Sequence, residues 1–261
     1  MMIVPQPKPD QKIQLRPALR KKADQLLDNL IKEFYSEVPY ATHFMTASKA
    51  HPEYYKRHTI ETILRLRMKR TVDALAIKYF TLYDPIRAQA WCQYGYEEML
   101  HDIEYFMNDL NKIGVSAKEV YETEPLFSTK LLTGYYQWGM EYEKCPLALI
   151  SSVYFMEYTT TRTQPEWIDN LEKSMGADAV AGARGHVNLD IDDGHDEFVW
   201  EVLMSLINSK DDEMRMLDHL RNVGRLFAMY FTELHHLTVD GKSAVDLKTM
   251  SEGMMSVQAA E

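Results

Sequence analysis

From Ile60 onward the apolar residues Ile63, Leu64, Met68, Val72, Leu75 and Tyr79 fall at steps of one, three or four. That is the repeat of one face of an α-helix. Glu61, Arg65, Arg67, Lys69 and Arg70 lie largely between those positions and are expected to face water. Asp84-Pro85 pairs a capping residue with a first-turn proline, opening a predicted helix that runs to about Lys112-Ile113-Gly114. Further helices are predicted after Pro125, and from Pro146 through Arg162, with Gln164-Pro165 interrupting the latter or starting the next. Ser209-Lys-Asp-Asp212 resembles a capping box with Asp in place of Glu. It precedes a helix reaching about His236, with Leu217, Leu220, Phe227, Phe231 and Leu234 along one face. No useful run alternates with period two, and the Asp-Gly at 240–241 lies beyond the last helix. The pattern predicts an all-α, single-domain bundle of about seven helices over residues 16–239, with no internal repeat. Residues 1–15 read as an extended arm, because prolines hold the backbone near polyproline geometry, and 240–261 as a polar tail.

Composition narrows the class. The 261 residues are 46% hydrophobic and 26% charged, with few glycines and prolines, which excludes a collagenous or largely disordered chain. The net charge of −10 would be repelled by a phosphate backbone, so nucleic acid is not an expected partner. Two cysteines, Cys92 and Cys145, are too few for a disulfide framework and suit a reducing compartment. No segment approaches the ~18 apolar residues of a membrane span. The opening Met-Met-Ile-Val-Pro-Gln-Pro-Lys-Pro lacks the pattern of a secretory signal. A cytoplasmic protein with no membrane partner is expected.

Helical bundles build cofactor sites from inward-pointing side chains, so carboxylates and histidines at helical spacing on apolar faces are the candidates. Glu98 and His101 are three apart, and Glu97 and His101 four apart, near Trp91, Tyr94, Met99 and Phe106. The same spacing also describes a surface Glu–His pair. Glu157 is the lone charge in Val153-Tyr-Phe-Met-Glu-Tyr158. A carboxylate buried there wants a cation, unless it reaches solvent or pairs with Arg162. His186 and Asp190 are four apart, with Asp193 a further turn along, although Asp192-Asp193-Gly194 also resembles a helix end. Together these positions offer carboxylates and imidazoles from three helices. An oxygen-rich set without thiolate suits iron or manganese better than structural zinc. Bridging carboxylates could hold two such ions ~3.5–4 Å apart with open positions.

The order Glu98-x-x-His101, Glu157, His186-x-x-x-Asp190 resembles the heme-oxygenase-like diiron oxidase superfamily, whose fold also covers heme oxygenase and thiaminase-type proteins. The compact Glu-x-x-His looks closest to branches that act on fatty acids or on amino-acid side chains. The resemblance implies two Fe(II) per chain, the second weakly held, with O2 as co-substrate. It further implies desaturation, hydroxylation or cleavage of a small carboxylate-bearing molecule, in natural-product biosynthesis. Where the superfamily places its last histidine this chain has Asp193, with His195 two residues on. Either Asp193 ligates, or the helix unwinds for His195, or the second iron is weakly bound. Arg162 and Arg184 are candidates to clamp a substrate carboxylate. Tyr94, Tyr154 and Tyr158 are candidates to line the pocket or donate an electron. Fold relatives that dimerise leave a homodimer open.

Two rival readings use other residues. A ferritin-like diiron bundle would draw on Glu61, Glu98/His101, Glu157 and Glu233/His236. A metal-free member of the same fold, a thiaminase-like hydrolase or a cofactor-free oxidase, would use a Cys or a His/Arg set in the cavity, with Cys92 and Cys145 the only nucleophile candidates of that kind. Heme is disfavoured because no histidine lies between residues 16 and 40.

Overall fold

Ten α-helices and no strand make up residues 15–242, the part of the chain described by this computed structural model. The expected arm, but for Leu15, and most of the expected tail lie outside the described residues. In chain order the helices are α1 (Pro17–Glu37), α2 (His43–Thr46), α3 (Pro52–Tyr83), α4 (Pro85–Lys112), α5 (Ala117–Glu122) and α6 (Phe127–Trp138). A π-helical turn (Gly139–Glu143) leads to α7 (Leu147–Met175), and a 3-10 turn (Ala177–Ala179) to α8 (Ala181–Asp193), α9 (His195–Ser205) and α10 (Lys210–Thr238). The excess over the predicted seven comes from α2 and α5, too short for a periodic signal, and from a break at Gly194 that separates α8 from α9. No described helix is long and apolar enough to cross a membrane.

The helix starts follow local chemistry. Asp84 accepts a hydrogen bond from the Arg87 amide (3.2 Å), and Ser209 accepts one from Asp212 (3.1 Å), whose carboxylate in turn accepts from Asn208 N (2.9 Å). α7 is the central rod, packed against α1, α2, α8, α9 and α10. Its first turns, Leu147 to Phe155, are buried all round. Pro165 does not break it, contrary to the expectation from the sequence. Beyond the proline, Trp167, Ile168 and Leu171 are buried, Trp167 donates to Tyr35 Oη (2.9 Å), and Asn170 donates to the Phe44 and Ala47 carbonyls (2.9 Å each). Tertiary docking outweighs the one lost backbone bond.

Two further helices are pinned by acids, Glu61 and Asp109 buried and Glu233 half-buried. Glu61, wholly buried and paired with Arg57 (2.6 Å), accepts from Leu126 N (3.1 Å) and Thr129 Oγ1 (2.6 Å). Glu233 accepts from Phe127 N (3.1 Å) and Ser128 N (2.8 Å), so both glutamates satisfy the amides that open α6. Asp109 of α4 does the same for α8, accepting from Gly182 N (2.7 Å) and Ala183 N (2.8 Å). Burial pushes its carboxyl up to about 6, against the pull of those two donors.

The contact between α4 and α8 leaves no room for a side chain at Gly182. A Cβ there would sit 2.0 Å from the backbone oxygen of Tyr105. Gly182→Ala should therefore push α8 off α4 and cost ~1–3 kcal/mol, seen as a lower urea midpoint. Gly134→Ala, at an exposed helical position with nothing within 4 Å, should leave the midpoint unchanged or raise it. Equal midpoints for both variants would show that the close approach is not tight.

Candidate metal centre

Side chains from four helices meet beside α7. Glu98 comes from α4, Glu157 from α7, Asp190 from α8 and His195 from the first position of α9. His195 Nδ1 lies 3.3 Å from Asp190 Oδ1, 3.6 Å from Glu98 Oε1 and 3.9 Å from Glu157 Oε2. The other Asp190 oxygen, Oδ2, is 3.4 Å from His186 Nε2, so one carboxylate spans two imidazoles. Glu157, Asp190 and His195 are 6%, 3% and 4% exposed. Their placement follows from the backbone. Gly194, in the left-handed conformation (φ 64°), ends α8 and restarts the chain as α9, which turns His195 inward. His195, one of the alternatives open at the histidine the pattern calls for, reaches the cluster. The side chains of His101 and Asp193 lie outside the described residues.

The electrostatics are those of a site short of positive charge. Glu157 Oε1 accepts from Tyr94 Oη (2.5 Å), but Glu157 Oε2 and Asp190 Oδ1 are buried and make no hydrogen bond. Neither acid forms an ion pair with Lys or Arg among the described residues. Burial first, and then the charge of Asp190, push the Glu157 carboxyl up to about 7, opposed by Tyr94 and the two histidines. Ligands ~2.0–2.2 Å from one ion stand ~3–4 Å apart, the spacing seen here. The residues present fit a divalent metal: Glu98, Glu157, Asp190, His186 and His195 could hold it, with Tyr94 orienting Glu157 from behind.

Other sequence candidates fall elsewhere. Glu97 is half-buried and accepts from Gln93 (2.6 Å). Arg162 is exposed and lies over the Tyr158 ring, 3.4 Å from its centroid, because α7 turns it away from the interior. Arg184 pairs with Asp169 (2.8 Å) and Glu172 (2.7 Å) across the α7–α8 surface. Neither arginine reaches the cluster as a clamp. Tyr154 and Tyr158 donate to Asp24 (2.6 Å) and Asp28 (2.9 Å) of α1, and of the three tyrosines it is Tyr94 that bonds a residue of the site. The ferritin-like combination is not assembled. Glu61 and Glu233 cap α6, and His236 is exposed, 4.0 Å from Asp240.

A cavity of about 190 Å³ runs from the cluster between α1, α3, α7 and α10. Glu98, Glu157, His186 and Asp190 line one part of it, and Phe34, Phe44, Phe155, Trp167, Phe227 and Phe231 supply an apolar wall. The face of α3 that borders it corrects the sequence reading. Glu61 and Arg65, expected to face water, are 0% and 7% exposed, and Lys69 lines the cavity. His58 also lines it, with Nδ1 3.0 Å from Tyr230 Oη, and burial lowers its pKa to about 3. The only signal for these residues was that α3 has no clean polar face, since apolar positions surround Arg65 on both sides (Leu64, Leu66).

No protein-family model matches the chain, and no curated protein sequence matches it. Solved structures do. A domain of unknown function with a heme oxygenase-like fold from Shewanella denitrificans OS217 superposes with a TM-score of 0.72 at 18% identity, covering 90% of this chain and 98% of its own. A TenA homologue protein from P. horikoshii OT3 gives a TM-score of 0.65 at 11% identity, covering 83% of this chain and 97% of its own. At such identities the likeness concerns architecture alone, and with the all-α arrangement described above it identifies the chain as one with a heme oxygenase-like fold.

Proposed function

We propose that the chain is an O2-dependent non-heme diiron oxidase or oxygenase acting on a small carboxylate-bearing substrate. The observation that carries this reading is the meeting of Glu98, Glu157, Asp190, His186 and His195 with two carboxylate oxygens left buried and unbonded. Iron bound there would supply electrons for the reduction of dioxygen. The protein's own part is to hold and shield. Asp190 presents one oxygen to each imidazole, so it would hold metal together with both His186 and His195. Tyr94, kept protonated by burial and by the charges of Glu157 and Glu98, donates to Glu157 and fixes which oxygen faces inward. The aromatic wall keeps water from the reacting centre and gives an apolar substrate body its place. The expected cytoplasmic setting and single small-molecule partner accord with this role.

A metal-free hydrolase on the same fold, which the TenA homologue also brings to mind, would need a nucleophile in the cavity. Cys92 is exposed on α4. Cys145 is half-buried beside the π-helical turn, with its thiol pushed up by burial, and neither cysteine lines the cavity. The placement of both cysteines outside the cavity favours the metal-dependent reading over a hydrolase that attacks through a thiol.

Anaerobic titration with Fe(II) tests the centre itself. Wild-type protein should take up about two ions per chain. His195→Ala or Asp190→Ala should lower that number, whereas His236→Ala should not; loss in His236→Ala alone would favour a ferritin-like site. Tyr94→Phe should keep the ligands but weaken metal binding ~10–100-fold, by removing the donor behind Glu157. Oxygen-electrode assays of the loaded protein with fatty acids and amino acids should show Fe(II)-dependent O2 uptake that is lost in His195→Ala. Uptake absent for both substrate classes would overturn the oxidase reading.

A further inference from the structure

Arg65 is a buried cation in search of an anion. Its guanidinium stacks over the Phe227 and Tyr230 rings, 5.3 and 5.1 Å from their centroids, and Nη2 donates to Thr62 Oγ1 (3.2 Å). Nη1 is buried and meets no hydrogen-bond acceptor. Aromatic faces offset part of the cost of burying a guanidinium, but an ion pair is the usual remedy, and Arg65 has none among the described residues. The neighbouring charges are already matched. Arg57 pairs with Glu61 (2.6 Å), Lys69 pairs with Asp73 (2.8 Å), and His58 is held neutral by burial and by Arg65 itself. That wall of the cavity therefore carries one unbalanced positive charge.

We propose that Arg65 anchors the head group of the substrate, and that this head is the carboxylate of an otherwise apolar acid. The proposal rests on the oxidase reading for what happens to the substrate, but not for its binding. One nitrogen with free N–H groups suits a monoanion better than a phosphate, whose second charge and extra oxygens would want further donors. The rings of Phe34, Phe44, Phe155, Trp167, Phe227 and Phe231 match an alkyl or aryl body rather than a second charged group. Lys69, one helical turn after Arg65, has its ammonium 6.0 Å from the centroid of the Tyr94 ring, and Tyr94 bonds Glu157, so the anchor and the acid cluster open on one space.

Calorimetric titration of the full chain with octanoate, 1-octanol and octylamine tests the anchor, with the protein first freed of metal and then loaded anaerobically with Fe(II). Octanoate should bind the metal-free protein, should bind Arg65→Met at least tenfold more weakly, and should recover part of its affinity in Arg65→Lys. Octanol should bind wild type and Arg65→Met alike, which also shows that the variant is folded with its cavity intact. The proposal is overturned if octanoate ignores Arg65→Met, if octylamine binds better than octanoate, or if octanoate binding requires Fe(II). It is also overturned if octanoate does not bind wild type. Fe(II) uptake by Arg65→Met should equal that of wild type. Octanoate bound through Arg65 by a protein that then consumes no O2 would remove the oxidase reading and leave the anchor standing.

Discussion

Three carboxylates beside two imidazoles cannot share a dry interior as free anions. With ligand atoms of Glu98, Glu157 and His195 all within 4.8 Å of one another and Asp190 3.3 Å from His195, the mutual repulsion of the acids, added to the loss of water, must be met by protons or by a cation. Much of the surrounding architecture can be understood as holding the backbone still while that tension is contained. α8 carries His186 and Asp190, and it is fixed at its start by a buried aspartate and at its side by direct backbone contact with α4. Glu157 follows the fully buried first turns of α7 and is itself 6% exposed, so its carboxylate is held away from solvent.

The acids of this interior do two different jobs, and burial alone does not tell them apart. Glu233 and Asp109 each accept from two backbone amides at a helix start, and Glu61 from one amide, the Thr129 hydroxyl and Arg57, so the helix dipole and close donors satisfy each anion. Glu157 and Asp190 have oxygens with no such occupation. Occupancy of the lone pairs, rather than depth, separates structural from candidate ligating groups.

The helical class and the convergence of Glu98, Glu157, His186 and Asp190 were legible in the sequence, because i, i+4 spacing on an apolar stretch survives translation into three dimensions. Asp84-Pro85 and Ser209 marked helix starts for the same local reason. Other features depend on tertiary context. Arg65 and Glu61 look solvent-facing when α3 is taken as an amphipathic helix, but α3 is covered on several sides and the polar stripe becomes an inner wall. Arg162 and Arg184 looked like clamps from their distance along the chain, yet helix rotation sends both outward. Pro165 looked like a stop, and three buried side chains beyond it carry α7 through.

The left-handed glycine between α8 and α9 has a consequence for how chains of this kind are recognised. A single residue outside the right-handed basin turns the His195 imidazole to Asp190, five residues back, a spacing that an unbroken helix would not bring onto one face. Pattern searches written with rigid intervals would pass over such a chain, whereas superposition of coordinates would not. Register along the polymer and address in the folded molecule are separable quantities, and here one small hinge residue converts between them.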